Sequence, residues 1–303
     1  RHTIPINQVK SLFATGHVSV TSGVLSFFSK IGIPIHFFGH YGNFLGSYQP
    51  RKKLVSGHTV LMQARAVLDS DTRQEIASKF VKSCLYNMQH VLISYPRNIP
   101  RVSDKVELLK EITDSVDPSE PIPVLMSKEG RAWAVYYSAF DLIIRDHDMG
   151  PRIRRPPNNP INALISLGNS ILYGIVLTQI YHTQLDPSIS FLHEPLERRY
   201  SLALDIAEVF KPTLVDTLIF KLLNKDMLQE SHFDERINYC MLTEEGRRIF
   251  LTNFDERLRE TRRHARLKRN VSNEYMIRLD CYKLMKRVVE NKGFQPYLES
   301  KGS

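Results

Sequence analysis

The sequence predicts an α+β chain, with a small β-rich N-terminal domain over residues 1–66 and a larger all-α domain over 67–303. Three observations carry this reading. Up to about residue 66 the apolar residues alternate or gather in short runs punctuated by glycine. Beyond that point they recur at helical spacing. A proline-rich break, Arg154-Arg155-Pro156-Pro157-Asn158-Asn159-Pro160, divides two helical stretches.

Taken in order, Val18-Ser19-Val20-Thr21 alternates with period two and reads as a strand. Ser22 is placed to cap a short helix through Phe27, Phe28 and Ile31, stopped by Gly32 and Pro34. Ile35-His36-Phe37-Phe38 and Phe44-Leu45-Gly46-Ser47-Tyr48, joined by Gly39-His40-Tyr41-Gly42-Asn43, predict a β-hairpin with Arg51-Lys52-Lys53 at its exit. Thr72-Arg73-Gln74-Glu75 has the form of a capping box, and behind it Ile76, Phe80, Cys84, Leu85, Met88 and Leu92 mark a helix. Past the break, Asn159 serves as a cap and Pro160 as a first-turn residue for a long helix running towards Thr183. Further helices fit residues 200–210, 213–223, 243 to about 267, and 273–289, the last capped by Ser272.

Composition narrows the function classes. The chain of 303 residues is 42% hydrophobic and 24% charged, enough for a sizeable core. No run approaches 18 consecutive apolar residues, so no membrane span is expected. The first residues, Arg1-His2-Thr3, carry no Met and no signal-peptide pattern, and a piece ahead of them is expected to be missing. Cys84, Cys240 and Cys281 have neither zinc nor redox spacing, which suits a reducing cytoplasm. The net charge of +9 and pI of about 9.4 favour a polyanionic partner, nucleic acid or an anionic surface.

Three segments offer chemistry. Glu129 precedes Ala132, Trp133, Tyr136 and Tyr137 and is either a helix-start carboxylate favoured by the macrodipole or a ligand. His193 lies in the loop Phe191-Leu192-His193-Glu194-Pro195, as a packing residue or a ligand. Asp205 and Glu208 share one face of an otherwise apolar helix, where a carboxylate needs an arginine, a hydrogen-bond network or a metal. Carboxylates with one imidazole suit Mg²⁺ or Mn²⁺, and such a site activates a hydroxyl against a phosphate. Zinc is disfavoured, because no cysteine and no HExxH accompanies them. Arg257, Arg259, Arg262, Arg263, Arg266, Lys268 and Arg269, with only Glu260 between them, would form a positive strip on a helix, either a phosphate contact or a solvated face. Arg152, Arg154 and Arg155 add a basic loop, and Tyr173 lies in mid-helix, a core tyrosine or one within reach of a phosphate.

At these segments the chain resembles the CRISPR-associated integrase, the first protein of the spacer-acquisition machinery. The resemblance rests on 32–38 with the following hairpin, Glu129-Gly130 with Tyr136 and Tyr137, Asn162-Ala163-Leu164 through Leu172-Tyr173-Gly174, Phe191-Leu192-His193, 204–212, and 242–247. It implies a β-rich N-terminal domain, an α-helical catalytic domain and a homodimer. It implies Glu129, His193 and Glu208 as metal-holding catalytic residues, with Asp205 in support. It implies double-stranded or branched DNA as substrate, and a small second adaptation protein bridging two dimers. The activity implied is a prokaryotic, metal-dependent endonuclease and integrase that joins new spacers into a CRISPR repeat by transesterification. Relatives carry a basic residue near the place of Ala134, so no DNA contact is expected there. The rival readings are a basic DNA-binding scaffold without catalysis and a metal-dependent RNA-processing nuclease.

Overall fold

The computed structural model describes residues 5–39, 42–51, 54–95, 100–154, 156–195, 200–236, 239–264 and 267–299. Leu12–Thr15 (β1) pairs in parallel with Ile35–Phe38 (β2), and β2 pairs antiparallel with Phe44–Tyr48 (β3), giving one sheet with β2 at its centre. The parallel pair requires a crossover, and Ser22–Ile31 (α1) provides it. The expected hairpin is therefore β2–β3; His40 and Tyr41 of its turn, and Lys52 and Lys53 at its exit, lie outside the described residues. The strand expected at 18–21 is not formed. Alternation there marks an exposed segment with no ladder partner, and the strand lies earlier, at β1. Thr21 rather than Ser22 caps α1, accepting from Val24 N.

The sheet is held to the helical core through a buried histidine. His36 Nδ1 bonds Ser47 Oγ of β3 at 2.6 Å, and its Nε2 bonds Thr178 Oγ1 at 2.7 Å on the long helix Pro160–Tyr181. Gly174 on the same helix permits this approach, since a Cβ there would stand 2.9 Å from Phe13 Cε1.

From residue 57 onward helices dominate. Gly57–Leu68 (α2) falls largely within the stretch expected to be β-rich; Ser56 caps it, and Thr59, Gln63 and Ala66 form its buried stripe. Ser70–Ile93 (α3) follows with Asp69 as its cap, accepting from Thr72 N, so the Thr72–Glu75 pattern lies inside the helix and not at its start. The predicted stripe Ile76, Phe80, Cys84, Leu85, Met88 and Leu92 is fully buried. Pro100–Ser115 (α4) and Ile122–Tyr137 (α5) pack on α3, and the short Phe140–Ile143 (α6) follows.

Pro160–Tyr181 (α7) begins as expected, with Asn159 accepting from Asn162 N at 2.8 Å. By length and composition it could cross a bilayer, because polar residues such as Asn162 and Ser166 interrupt its apolar run without lowering the average much. Its place is the protein core, where Ile161, Leu164, Leu172, Val176, Leu177 and Ile180 are all buried.

Ser201–Phe210 (α8) does not stop at Pro212. Proline lacks the N–H and crowds the preceding carbonyl, and the chain accommodates it by widening into a π-helical turn, Lys211–Asp216, before resuming as Thr217–Asn224 (α9).

Two hairpins interrupt the region expected to be all-α. The first is Phe233–Arg236 (β4) with Tyr239–Leu242 (β5), and it leads into Glu244–Arg259 (α10). The second is Thr261–His264 (β6) with Arg269–Ser272 (β7), followed by Asn273–Glu290 (α11), capped by Ser272 as expected. Thus α10 ends at Arg259 and not near Leu267. Asn273 Nδ2 donates to Arg257 O at 2.7 Å, and this takes up one of the carbonyls left free at the helix end. The segment 291–299 returns across α3, where Asn87 accepts from Glu299 N and donates to Val209 O of α8, both at 2.8 Å. Cys84, Cys240 and Cys281 are buried and form no disulfide.

Candidate metal centre

Glu129 stands in mid-helix. Because α5 starts at Ile122, the carboxylate is beyond the reach of the helix N-terminus, and the macrodipole reading falls. Ile122, Leu125, Glu129, Ala132 and Tyr136 occupy successive positions of one buried stripe, so an acid sits where the pattern calls for an apolar residue. Only 8% of Glu129 is exposed, and its Oε1 accepts from Trp133 Nε1 at 3.0 Å.

Asp205 and Glu208 are both buried on α8, but they do different work. Asp205 is fully enclosed and fully used. Its Oδ2 accepts from Phe191 N at 2.7 Å and Leu192 N at 3.0 Å, and its Oδ1 from His193 N at 3.0 Å and His193 Nδ1 at 2.9 Å. The loop is also held by Arg73, whose Nε donates to Phe191 O, and by Ser190, whose Oγ donates to His193 O. This clamp fixes the imidazole through Nδ1 and leaves Nε2 as the nitrogen that could take an ion. Glu208 Oε1 is ion-paired with Lys211 Nζ, whereas its Oε2 is buried with no hydrogen-bond partner among the described residues.

Electrostatics ties the three together. Burial, and next the Glu208 charge, push the Glu129 carboxyl up to about 7. Burial works against a charged His193, but its bond to Asp205, the Asp205 charge and then Glu208 and Glu129 outweigh it and hold the imidazole above its ordinary value. A further acid, Asp216 at the end of the π turn, is fully buried, and burial pushes it up to about 8. A pocket of carboxylates at this depth calls for a cation.

Among the described residues, no three His, Cys, Asp or Glu side chains are gathered closely enough to grip one ion as they stand. The cation beside them is Lys211, whose ammonium also lies 5.6 Å from the centroid of the Trp133 ring. The donor set nevertheless fits a hard divalent ion: two carboxylates, one of them with an oxygen that has no hydrogen-bond partner among the described residues, and one oriented imidazole.

The remaining candidates are not gathered there. Tyr173 packs edge-on against Phe44 of β3, and its hydroxyl accepts from Tyr200 N at 3.2 Å. The basic residues form no single helical strip. Arg257 and Arg259 end α10; Arg262, Arg263, Lys268 and Arg269 belong to the β6–β7 hairpin; Arg266, like Arg155, lies outside the described residues. Several are committed internally: Arg257 to Glu260 and Thr213 O, Arg259 to Asp255, and Arg262 to Tyr297 and Glu299. Arg263, Lys268 and Arg269 are exposed. Arg152 is turned inward, donating to Asn162 Oδ1 and Ser166 Oγ at 3.1 Å, while Arg154 is exposed.

Lys211, Trp133 and Asp216 were not singled out from the sequence. The signals were spacing alone: Lys211 lies three residues after Glu208, and Trp133 four after Glu129.

A family model described as "CRISPR associated protein Cas1" matches residues 1–256. The "CRISPR-associated endonuclease Cas1 3" of Thermodesulfovibrio yellowstonii is 44% identical over 298 residues, which is 98% of this chain and 90% of that protein. The "CRISPR-associated endonuclease Cas1" of Methanothermobacter thermautotrophicus is 43% identical over 299 residues, 98% of this chain and 87% of its own. Among solved structures, a CAS1 protein from Thermotoga maritima matches with a TM-score of 0.85 at 36% identity, covering 98% of this chain and 91% of that one.

Proposed function

The chain belongs to the CRISPR-associated protein Cas1 family, and from that premise we propose that it is a metal-dependent DNA endonuclease and integrase, joining short DNA fragments into a CRISPR repeat by transesterification. The observation that carries the reading is the buried, mutually interacting set Glu129, His193 and Glu208, with Asp205 spent on orienting His193.

Glu129 and Glu208 supply hard oxygen donors, and His193 Nε2 supplies the nitrogen. When bound, Mg²⁺ or Mn²⁺ polarises the scissile phosphate and lowers the pKa of the attacking hydroxyl. The residues of the chain do the rest. Asp205 accepts a hydrogen bond from His193 Nδ1–H and so keeps the lone pair on Nε2. The apolar surround of α5 and α8 limits water, which strengthens the electrostatics at the reacting phosphate. Arg263, Lys268 and Arg269, exposed on the β6–β7 hairpin, would neutralise DNA phosphates without reading bases. With a 3′-hydroxyl as nucleophile the outcome is strand transfer; with water it is cleavage. A homodimer, a small second adaptation protein bridging two dimers, and a place in the prokaryotic cytoplasm complete the proposal.

The test is a strand-transfer assay using a labelled fragment with free 3′-hydroxyls, a repeat-bearing target and Mn²⁺. Glu129→Gln, His193→Ala and Glu208→Gln are each expected to lose cleavage and transfer while still binding DNA. Full activity of His193→Ala would overturn the assignment.

A further inference from the structure

An ammonium already stands among the carboxylates. Lys211, the first residue of the π turn, reaches back three positions to pair with Glu208 Oε1. Its Nζ lies 5.6 Å from the centroid of the Trp133 ring, and the Trp133 indole donates to Glu129 Oε1 at 3.0 Å. Lysine, indole and both carboxylates thus form one connected group. An exposed pair at this spacing would be an ordinary helix-surface contact. This one is different, because the Glu208 side chain is only 9% exposed and its Oε2 has no hydrogen-bond partner among the described residues. Glu208 thus has one oxygen taken by Lys211 and the other left without a hydrogen-bond partner among the described residues.

The oxygen that Lys211 holds belongs to a residue a divalent ion would need. Resting on the metal-centre reading above, we propose that Lys211 is an exchangeable internal counter-cation: it holds Glu208 while the site carries no ion and releases it on ion uptake. The Lys211–Glu208 pair and the ion are then competitors, and each weakens the other by the same factor. The lysine keeps Glu208 in place, and in return it sets a threshold ion concentration below which the centre stays shut. Trp133, the only tryptophan in the chain, reports the exchange, because it touches both the departing ammonium and Glu129.

The experiment uses the full chain freed of metal. Mn²⁺ affinity is measured from the paramagnetic resonance of free Mn²⁺ for wild type, Lys211→Met and Glu208→Gln, and Trp133 emission is followed separately during a Mg²⁺ titration. Lys211→Met is expected to bind Mn²⁺ about tenfold tighter or more, since a unit charge leaves a poorly solvated site. Wild-type emission is expected to shift as Mg²⁺ saturates, and Lys211→Met to shift much less. Equal Mn²⁺ affinities in wild type and Lys211→Met would overturn the exchange while leaving the metal centre standing. Wild-type emission that stays flat through Mg²⁺ saturation would overturn it as well, and that arm needs no variant to fold. If wild type takes up no Mn²⁺ that Glu208→Gln removes, the metal-centre reading itself fails and the exchange fails with it.

Discussion

Asp205→Ala is the most informative single substitution for the architecture of the centre. The fully buried carboxylate accepts four hydrogen bonds, three from the successive backbone amides of Phe191, Leu192 and His193 and one from the His193 ring, at 2.7–3.0 Å. A hydrogen bond to a charged group contributes about 1.5–3 kcal/mol, and losing the acceptor leaves buried donors unpaired. These contributions are not additive, and loop relaxation returns part of them. A loss of about 3–5 kcal/mol is the reasonable expectation, as when one partner of a buried charged network is removed. For a chain of this size that lowers the melting temperature by on the order of 10 °C. The ring, no longer held through Nδ1, loses its aim, and divalent-ion affinity falls roughly 10–100-fold. Asp205→Asn keeps the shape, but its amide NH₂ faces two of the donors, so it recovers little. Calorimetric melting and Mn²⁺ binding measure both effects. An Asp205→Ala protein that melts within about 2 °C of wild type and binds Mn²⁺ equally well would refute the clamp.

Four further outcomes follow from other parts of the fold. Burial lowers His36 from its ordinary 6.5 to about 4, so between these values the unfolded chain binds more protons than the folded one; stability is complete above pH 6.5 and falls by about 3 kcal/mol as pH drops towards 4. Denaturant unfolding at pH 7.5 and 4.5 reads this, and His36→Asn is expected to flatten it. Gly168→Ala would place a Cβ 2.5 Å from Val215 Cγ1 and 3.2 Å from Phe250 Cζ, against the π turn; a loss of about 1–3 kcal/mol in urea unfolding is expected, and neutrality would mean the turn yields easily. Replacing Arg263, Lys268 and Arg269 together by alanine should leave melting unchanged and reduce the salt dependence of DNA binding, by about 0.9 in log–log slope for each phosphate no longer neutralised. Arg262→Ala should instead destabilise the protein, because Arg262 is bound to Glu299 and Tyr297, and an unaltered slope in the triple variant would remove the hairpin from the DNA surface.

The helices with a clear buried stripe were legible in the sequence, and so were two of the caps. The α3 stripe, Asn159 and Ser272 stand where their spacing put them. Features decided by distant contacts were not legible. Alternation at 18–21 has no neighbouring strand to pair with, and α2 has a polar residue, Gln63, at the centre of its buried stripe because its amide donates to Asp186 O and Ile189 O. The spacing carries the α10 helix on to about Leu267, through β6, because the arginines continue its charge pattern, while the actual stop is set by Asn273 from beyond the turn. In the candidate site, composition brought out the acids and the histidine. Only the folded arrangement separates Asp205, saturated with donors, from Glu208, which keeps a free oxygen.

The central claim is that Glu129, His193 and Glu208 hold one catalytic ion. Anomalous scattering from a crystal soaked in Mn²⁺ tests it most directly. A single strong peak is expected about 2.2 Å from carboxylate oxygens of Glu129 and Glu208 and from His193 Nε2, with Lys211 Nζ withdrawn from Glu208. A peak ligated through Asp205, or at a place that leaves Glu129 and Glu208 uncoordinated, would contradict it.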